Sequence, residues 1–154
     1  MSDAPLPARR GPLTAALLVL ALLSPALAAG DTVTLEDLFG SGRWRLVSVT
    51  FGGTTTTLEP GAGAEFLVNE VGRLAGSVGC NQLIAAAELT PDGEARFEPI
   101  ASTLMACPDP AMSRERAFVQ ALEAVERYEA TEAQVRFTGP DVEVVFEPVA
   151  APQG

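Results

Sequence analysis

The chain has 154 residues, a length that sets one domain as the expectation, and its 10 basic and 20 acidic side chains give a formal net charge of −10. That balance leaves no basic stripe to displace counterions, which argues against a nucleic-acid partner. All the basic residues are arginines, and without histidine or lysine the chain has no Ser-His, Cys-His or Ser-Lys nucleophile and no Schiff-base amine.

The N-terminus reads as an address. Arg9 and Arg10 precede an apolar run over residues 13–23, then Ser24-Pro25 and the small residues Ala26 and Ala28. This is the pattern of a secretory signal cleaved after Ala28 or Ala29. The run is too short to cross a hydrocarbon core of about 30 Å as a helix, and no cysteine follows the cleavage point to carry a lipid. Residues 1–29 are therefore expected to be removed, giving a periplasmic or secreted protein without a transmembrane anchor. Losing Asp3, Arg9 and Arg10 takes the net charge from −10 to −11.

Residues 30–40 form a lead-in with a short helical stretch at 34–39, stopped by Gly40-Ser41-Gly42. The first strand spans residues 43–51 and closes at Gly52-Gly53. Trp44 and Leu46 fall on one face and Val47, Val49 and Phe51 on the other, so this strand belongs to a sheet that curls or is covered on both sides. The threonines 54–57 extend a hairpin or form a solvated loop, with an exposed recognition loop as the functional alternative. After a Gly/Pro-rich turn at 59–63 come strands at 64–69 and 73–78. Gly76 interrupts the second of these, which marks a bulge or a close backbone approach. Gly79-Cys80-Asn81 is a corner where glycine, and less easily asparagine, takes positive φ.

Residues 82–89 read as a strand, although their alanines also allow a helix. Thr90-Pro91-Asp92-Gly93 is a turn, residues 94–98 form a strand, and residues 100–107 are irregular and carry the second cysteine. A helix begins with Asp109 as N-cap and Pro110 at the first helical position, with Ser113 as the other candidate cap, and runs to about Arg127. Phe118, Ala121, Leu122 and Val125 make one apolar face, with Arg114, Glu115, Glu123 and Glu126 off it. Being short and acidic, this helix packs on the sheet and does not bind a membrane. Strands at 128–131, 134–138 and 142–147 close the chain, the last two joined at Gly139-Pro140-Asp141. The fold class is mainly β (α+β): an antiparallel curled sheet or partly open barrel of about eight short strands, with one α-helix packed against it.

Cys80 and Cys107 are the chain's two cysteines, and in an exported protein they read as one disulfide, with two separate buried thiols as the alternative. The chain-entropy account values such a bridge at about 3–4 kcal/mol. A redox-active or metal-binding role is disfavoured, because there is no C-x-x-C and no lysine or histidine to depress a thiol pKa. Asn81, Ser102 and Thr103 fall near this pair, as hydrogen-bond partners of the corner backbone or of a small ligand. Carboxylates are plentiful, but spacing alone defines no glycosidase-type pair. No catalytic residue, cofactor or metal is expected.

The order Gly42-Arg43-Trp44-x-Leu46, Leu74-x-Gly76-x-x-Gly79-Cys80-Asn81, Ser102-Thr103-Leu104-Met105-Ala106-Cys107 and Phe118-x-x-x-Leu122 resembles the META domain, the HslJ-like family of small envelope proteins. The resemblance covers residues 41–148, leaving 149–154 as a tail. It implies a small β-rich domain with a helix against it, secreted or envelope-associated. It also implies a link to heat induction, drug tolerance or virulence, without an established enzymatic activity. This chain departs from the family at Leu104, where a basic or aromatic residue is usual, and in the alanine-rich strand after the corner. The expected function is a non-enzymatic, monomeric exported domain that supports envelope stress tolerance through protein or envelope contacts, its partner an envelope protein or a small ligand. The alternatives are a small-molecule binder at the mouth of the sheet, or a secreted inhibitor of a lysozyme-type hydrolase, a cationic enzyme that an acidic domain attracts.

Overall fold

The computed structural model describes residues 32–150. The expected leader, residues 1–29, lies outside the described residues, as does most of the tail.

Helix α1 (Leu35–Phe39) begins at a reciprocal capping box. The Thr34 hydroxyl accepts the Asp37 N–H at 3.2 Å, and the Asp37 carboxylate accepts the Thr34 N–H at 2.8 Å. One and a half turns are too few to stand alone. Burial of Leu35, Leu38 and Phe39 holds the helix down, and the Phe39 carbonyl accepts the Trp44 Nε1–H at 2.6 Å.

Strand β1 (Trp44–Phe51) is the axis of the sheet. On one side it pairs with β11 (Val142–Pro148); on the other it pairs first with β3 (Glu65–Val68) and then with β2 (Thr54–Thr57). Its two-sided apolar pattern does not mean a sheet covered on both faces at this strand. The β1–β11 register slips between Leu46 and Ser48, leaving Val47 as the extra residue of a bulge. The alternation changes phase there, so Trp44, Leu46 and Val49 all enter the same core. Gly52 and Gly53, with φ of 56° and 77°, make the two-residue turn into β2. The threonines are thus a paired strand and not a protruding loop.

The main sheet runs β8 (Ala101–Ser102), β5 (Gln82–Ala85), β4 (Leu74–Ser77), β3, β1, β11, β10 (Val135–Gly139), β9 (Arg127–Ala130), with every neighbouring pair antiparallel. Residues 82–89 are extended, as expected, but break at Ala86 into β5 and β6 (Ala87–Leu89). The latter pairs with β7 (Ala95–Phe97) in a separate ribbon. Single bridges tie this ribbon to Val33 and to Arg127, and the sheet stays open. Eleven strands are present among the described residues, against about eight expected, because long runs are split and short pieces pair.

Helix α2 (Ala111–Glu123) covers the sheet against β1 and β11. It ends one turn earlier than the sequence suggests. Its N-cap is Pro110, and Asp109, one residue outside, still caps: its carboxylate accepts the Ser113 N–H at 3.1 Å and hydroxyl at 2.6 Å. The expected face is buried, with Phe118, Ala121 and Leu122 in the helix and Val125 just beyond it. Phe118 meets Phe66 at 5.1 Å between ring centroids, and Phe146 meets Phe66 and Phe39 edge-on at 5.5 and 5.4 Å. Each such ring contributes about 1.5–3 kcal/mol by leaving water. Gly76 marks a close approach and not a bulge: a Cβ there would collide with the Glu65 carbonyl and the Phe66 ring.

Candidate functional site

The turn between β4 and β5 is built around four consecutive needs. Val78 is fully buried and fixes the entry. Gly79 takes φ 106°, and a side chain there would strike the Arg114 guanidinium, whose Nε–H donates to the Val78 carbonyl at 2.9 Å. Cys80 is disulfide-bonded to Cys107 with a Cα–Cα distance of 6.0 Å across 27 residues of sequence. The bridge fixes the loop that leads from β8 to α2. The Sδ of Met112, in the first turn of α2, packs 3.6 Å from the Cys80 sulfur.

Asn81 is the hub. It is 3% exposed. Its backbone N–H donates to Glu115 Oε2 at 2.8 Å and its Nδ2 donates to Glu115 Oε1 at 2.6 Å. Its Oδ1 accepts the Thr103 hydroxyl at 2.9 Å and the Met105 N–H at 2.7 Å. Thr103 adds a reciprocal clamp: its hydroxyl oxygen accepts the Gln82 N–H at 3.0 Å, and its own N–H donates to the Gln82 carbonyl at 3.1 Å. Hydrogen bonds to a carboxylate are the stronger kind, and the buried Glu115, 6% exposed, takes one from the backbone nitrogen and one from the side-chain nitrogen of Asn81.

The structure thus gathers Gly79, Cys80, Asn81, Thr103, Met105 and Cys107 at one knot. Ser102 lies on its exposed rim, donating only to the Thr103 carbonyl. Trp44, Gly76, Phe118 and Leu122 are elsewhere, in or against the core. Arg114 and Glu115, which the sequence pattern places off the apolar face of the helix, are instead central. Glu115 stands three residues before Phe118 and seven before Leu122, which is the spacing of the apolar stripe itself. A carboxylate on that stripe was the signal.

Chemically the knot is saturated. Among the described residues no buried side-chain nitrogen or oxygen lacks a partner, and no group of three or more His, Cys, Asp or Glu is placed to hold a metal. The aspartates with perturbed acidity sit at the starts of α1 and α2 (Asp37, Asp109) and in the turn between β6 and β7 (Asp92). Hydrogen bonds from Thr34, Thr90 and Ser113 hold the Asp37, Asp92 and Asp109 carboxyls below the usual aspartate range. A cleft of about 500 Å³ lies on the outer sheet face beside Glu65, Ser77 and Gln82, and one of about 470 Å³ lies between the end of α2 and the β6–β7 ribbon, beside Glu88, Glu94, Glu123 and Glu126. Both are open to solvent.

What the knot presents is a loop. Between the Thr103 clamp and the disulfide, Leu104 is 99% exposed and Met105 58% exposed.

The META domain family model matches residues 33–150, which takes in α1 as well as the sheet and α2. This chain belongs to the META domain family. No curated protein sequence matches it. The META domain superposes on an NMR structure of a Burkholderia xenovorans protein with a TM-score of 0.61 at 20% identity, covering 76% of this chain and 87% of that one. A second NMR structure gives 0.53 at 22% identity, covering 75% and 94%. A crystal structure of a DUF4847 family protein from Bacteroides vulgatus gives 0.52 at 13% identity, covering 73% and 96%. At these identities the likeness concerns the fold alone. Among the described residues of this META domain no helix is long and apolar enough to cross a membrane.

Proposed function

We propose that this META domain is an exported, non-enzymatic contact domain that supports envelope stress tolerance by engaging a protein through its 103–107 loop. The observation that carries the reading is Leu104, a large apolar side chain held almost wholly in water on a backbone clamped by Asn81, Gln82 and the disulfide. Burying one leucine contributes about 1.5–3 kcal/mol, and a loop already ordered keeps more of that gain on binding. Export is supported by the leader pattern of residues 9–28 and by a disulfide, which persists outside the cytoplasm. A non-enzymatic role is supported by Glu115, a buried carboxylate already occupied by two donors from Asn81. A ligand inside the sheet finds little support, because Phe39, Phe66, Phe118, Phe137 and Phe146 fill that space. The hydrolase-inhibitor reading loses its protruding loop, since residues 54–57 are paired as β2.

The test is site-specific photocrosslinking in envelope extracts from the protein's own host. A crosslinker at position 104 is expected to give a discrete adduct, abolished by competition with unlabelled wild-type protein and not by the Leu104→Asp variant. A crosslinker at Val71, a 74% exposed turn residue away from the loop, serves as the control. Equal labelling from both positions would refute the contact role.

A further inference from the structure

We propose that Met105 is an oxidation site: peroxide-class oxidants convert its thioether to the sulfoxide while sparing Met112. The sequence contains three methionines, and Met1 falls in the expected leader. Histidine is absent and both cysteines are already joined. Trp44 is 5% exposed, with its indole N–H committed to Phe39. The thioethers are therefore the side chains open to two-electron oxidation in the mature chain, and the fold treats them oppositely.

Met105 is 58% exposed. The knot uses its backbone, through the N–H that Asn81 accepts at 2.7 Å, and leaves its side chain free. Met112 is half-buried in the first turn of α2, with its sulfur 3.6 Å from the Cys80 sulfur. One thioether faces solvent and the other is packed against the disulfide. Susceptibility to oxidation follows exposure, so the two differ in rate although they lie seven positions apart.

The step is an oxygen-atom transfer. The Met105 Sδ lone pair attacks one peroxide oxygen, an S–O bond forms and the O–O bond breaks. The sulfur loses two electrons, and the departing oxygen takes up the proton from the transferred oxygen and leaves as water from hydrogen peroxide, or as an alcohol from an organic peroxide. The sulfoxide adds a strong acceptor to a side chain already in water, so neither the Asn81–Glu115 hydrogen bonds nor the aromatic core is disturbed. The apolar tip made by Leu104 and Met105 becomes polar. Sulfoxide formation is reversible by methionine sulfoxide reductases, which makes an exposed loop a suitable place for it. The 58% exposure of Met105 belongs to the free protein, so its oxidation there needs no partner on the loop.

The experiment is timed exposure of the oxidised mature protein to hydrogen peroxide, followed by peptide mass mapping. Oxygen uptake at Met105 is expected to be roughly tenfold faster than at Met112, in line with exposure control. The thermal midpoint should stay unchanged after the fast phase. In denaturant the two rates should converge. Met105→Leu should remove the fast phase and Met112→Leu should retain it. Equal rates in the native protein, a fast phase surviving in Met105→Leu, or a rate ratio persisting in denaturant would each overturn the proposal.

Discussion

Replacing Glu115 by alanine is the sharpest probe of the knot. The substitution strips the acceptor from two buried donors, the Asn81 N–H at 2.8 Å and the Asn81 Nδ2 at 2.6 Å. Each orphaned buried donor costs about 1–3 kcal/mol. Relief of the carboxylate's own desolvation offsets part of that, so the net loss should be about 2–5 kcal/mol. For a domain of this size the thermal midpoint moves by roughly 3–5 °C per kcal/mol, giving a fall of roughly 6–25 °C. Glu115→Gln keeps one acceptor but turns an NH₂ group toward an Asn81 donor, and should fall between wild type and alanine. Thermal unfolding by circular dichroism with the disulfide intact is the assay, with Glu132→Ala as an exposed carboxylate control. If Glu115→Ala cost no more than the control, within the roughly 0.5 kcal/mol typical of surface changes, the knot would be decoration and its hydrogen bonds without energetic weight.

Cys80→Ser and Cys107→Ser should each lower stability by about 3–4 kcal/mol, and the double variant should lose no more than either single one, because both remove the same bond; denaturant titration decides this. Gly76→Ala should be worse than Gly79→Ala, since the first drives a methyl into backbone and the Phe66 ring while the second meets only the movable end of Arg114 and a positive-φ strain of about 1–3 kcal/mol. Comparative expression and melting temperature would expose the reverse order. Asp109 has a folded-state pKa below its ordinary 3.8, set first by the Ser113 side-chain hydrogen bond and then by the Ser113 backbone N–H. A depressed carboxyl stabilises above the unfolded-state pKa and loses that contribution as pH falls through the folded value. The stability gap between wild type and Asp109→Ala should therefore be flat at neutral pH and shrink below about pH 3.8; a gap that widened on acidification would contradict this assignment.

The strands that alternate cleanly were legible from the sequence, and so was the apolar face of α2, because period-2 and period-3.6 burial are written directly in residue order. The phase change at Val47 was not, because a bulge is decided by the partner strand: β11 supplies Phe146 and Val145 opposite Leu46 and Ser48, and nothing local to β1 says so. The break at Ala86 and the two-residue β8 are likewise products of pairing. The cysteine bridge followed from the count of two and from the expectation of export. Glu115 was misplaced because a carboxylate is a surface residue by default; only its position on the stripe, and the donor pair waiting on Asn81, reverse that default.

The knot also explains how α2 is held at one rotation. Its apolar face is composed of Phe118, Ala121 and Leu122, side chains that pack tolerably over a range of angles about the helix axis. Glu115 removes that freedom. Both its oxygens are engaged by a single residue at the β4–β5 turn, and turning the helix by one residue, about 100°, would bring Arg114 or Arg116 to the same place. An arginine facing the Asn81 N–H and Nδ2 would set donors against donors in a buried site. On the other side of Asn81 the Oδ1 fixes Thr103 and Met105, and the disulfide fixes the loop's far end. One asparagine therefore sets the helix rotation and the loop conformation together, so Asn81→Ala should loosen both: faster amide exchange is expected at Met105 and in the first turn of α2, with β10 and β11 unaffected. Exchange that rose only at Met105 would separate the loop from the helix and show that α2 is oriented by its apolar face alone.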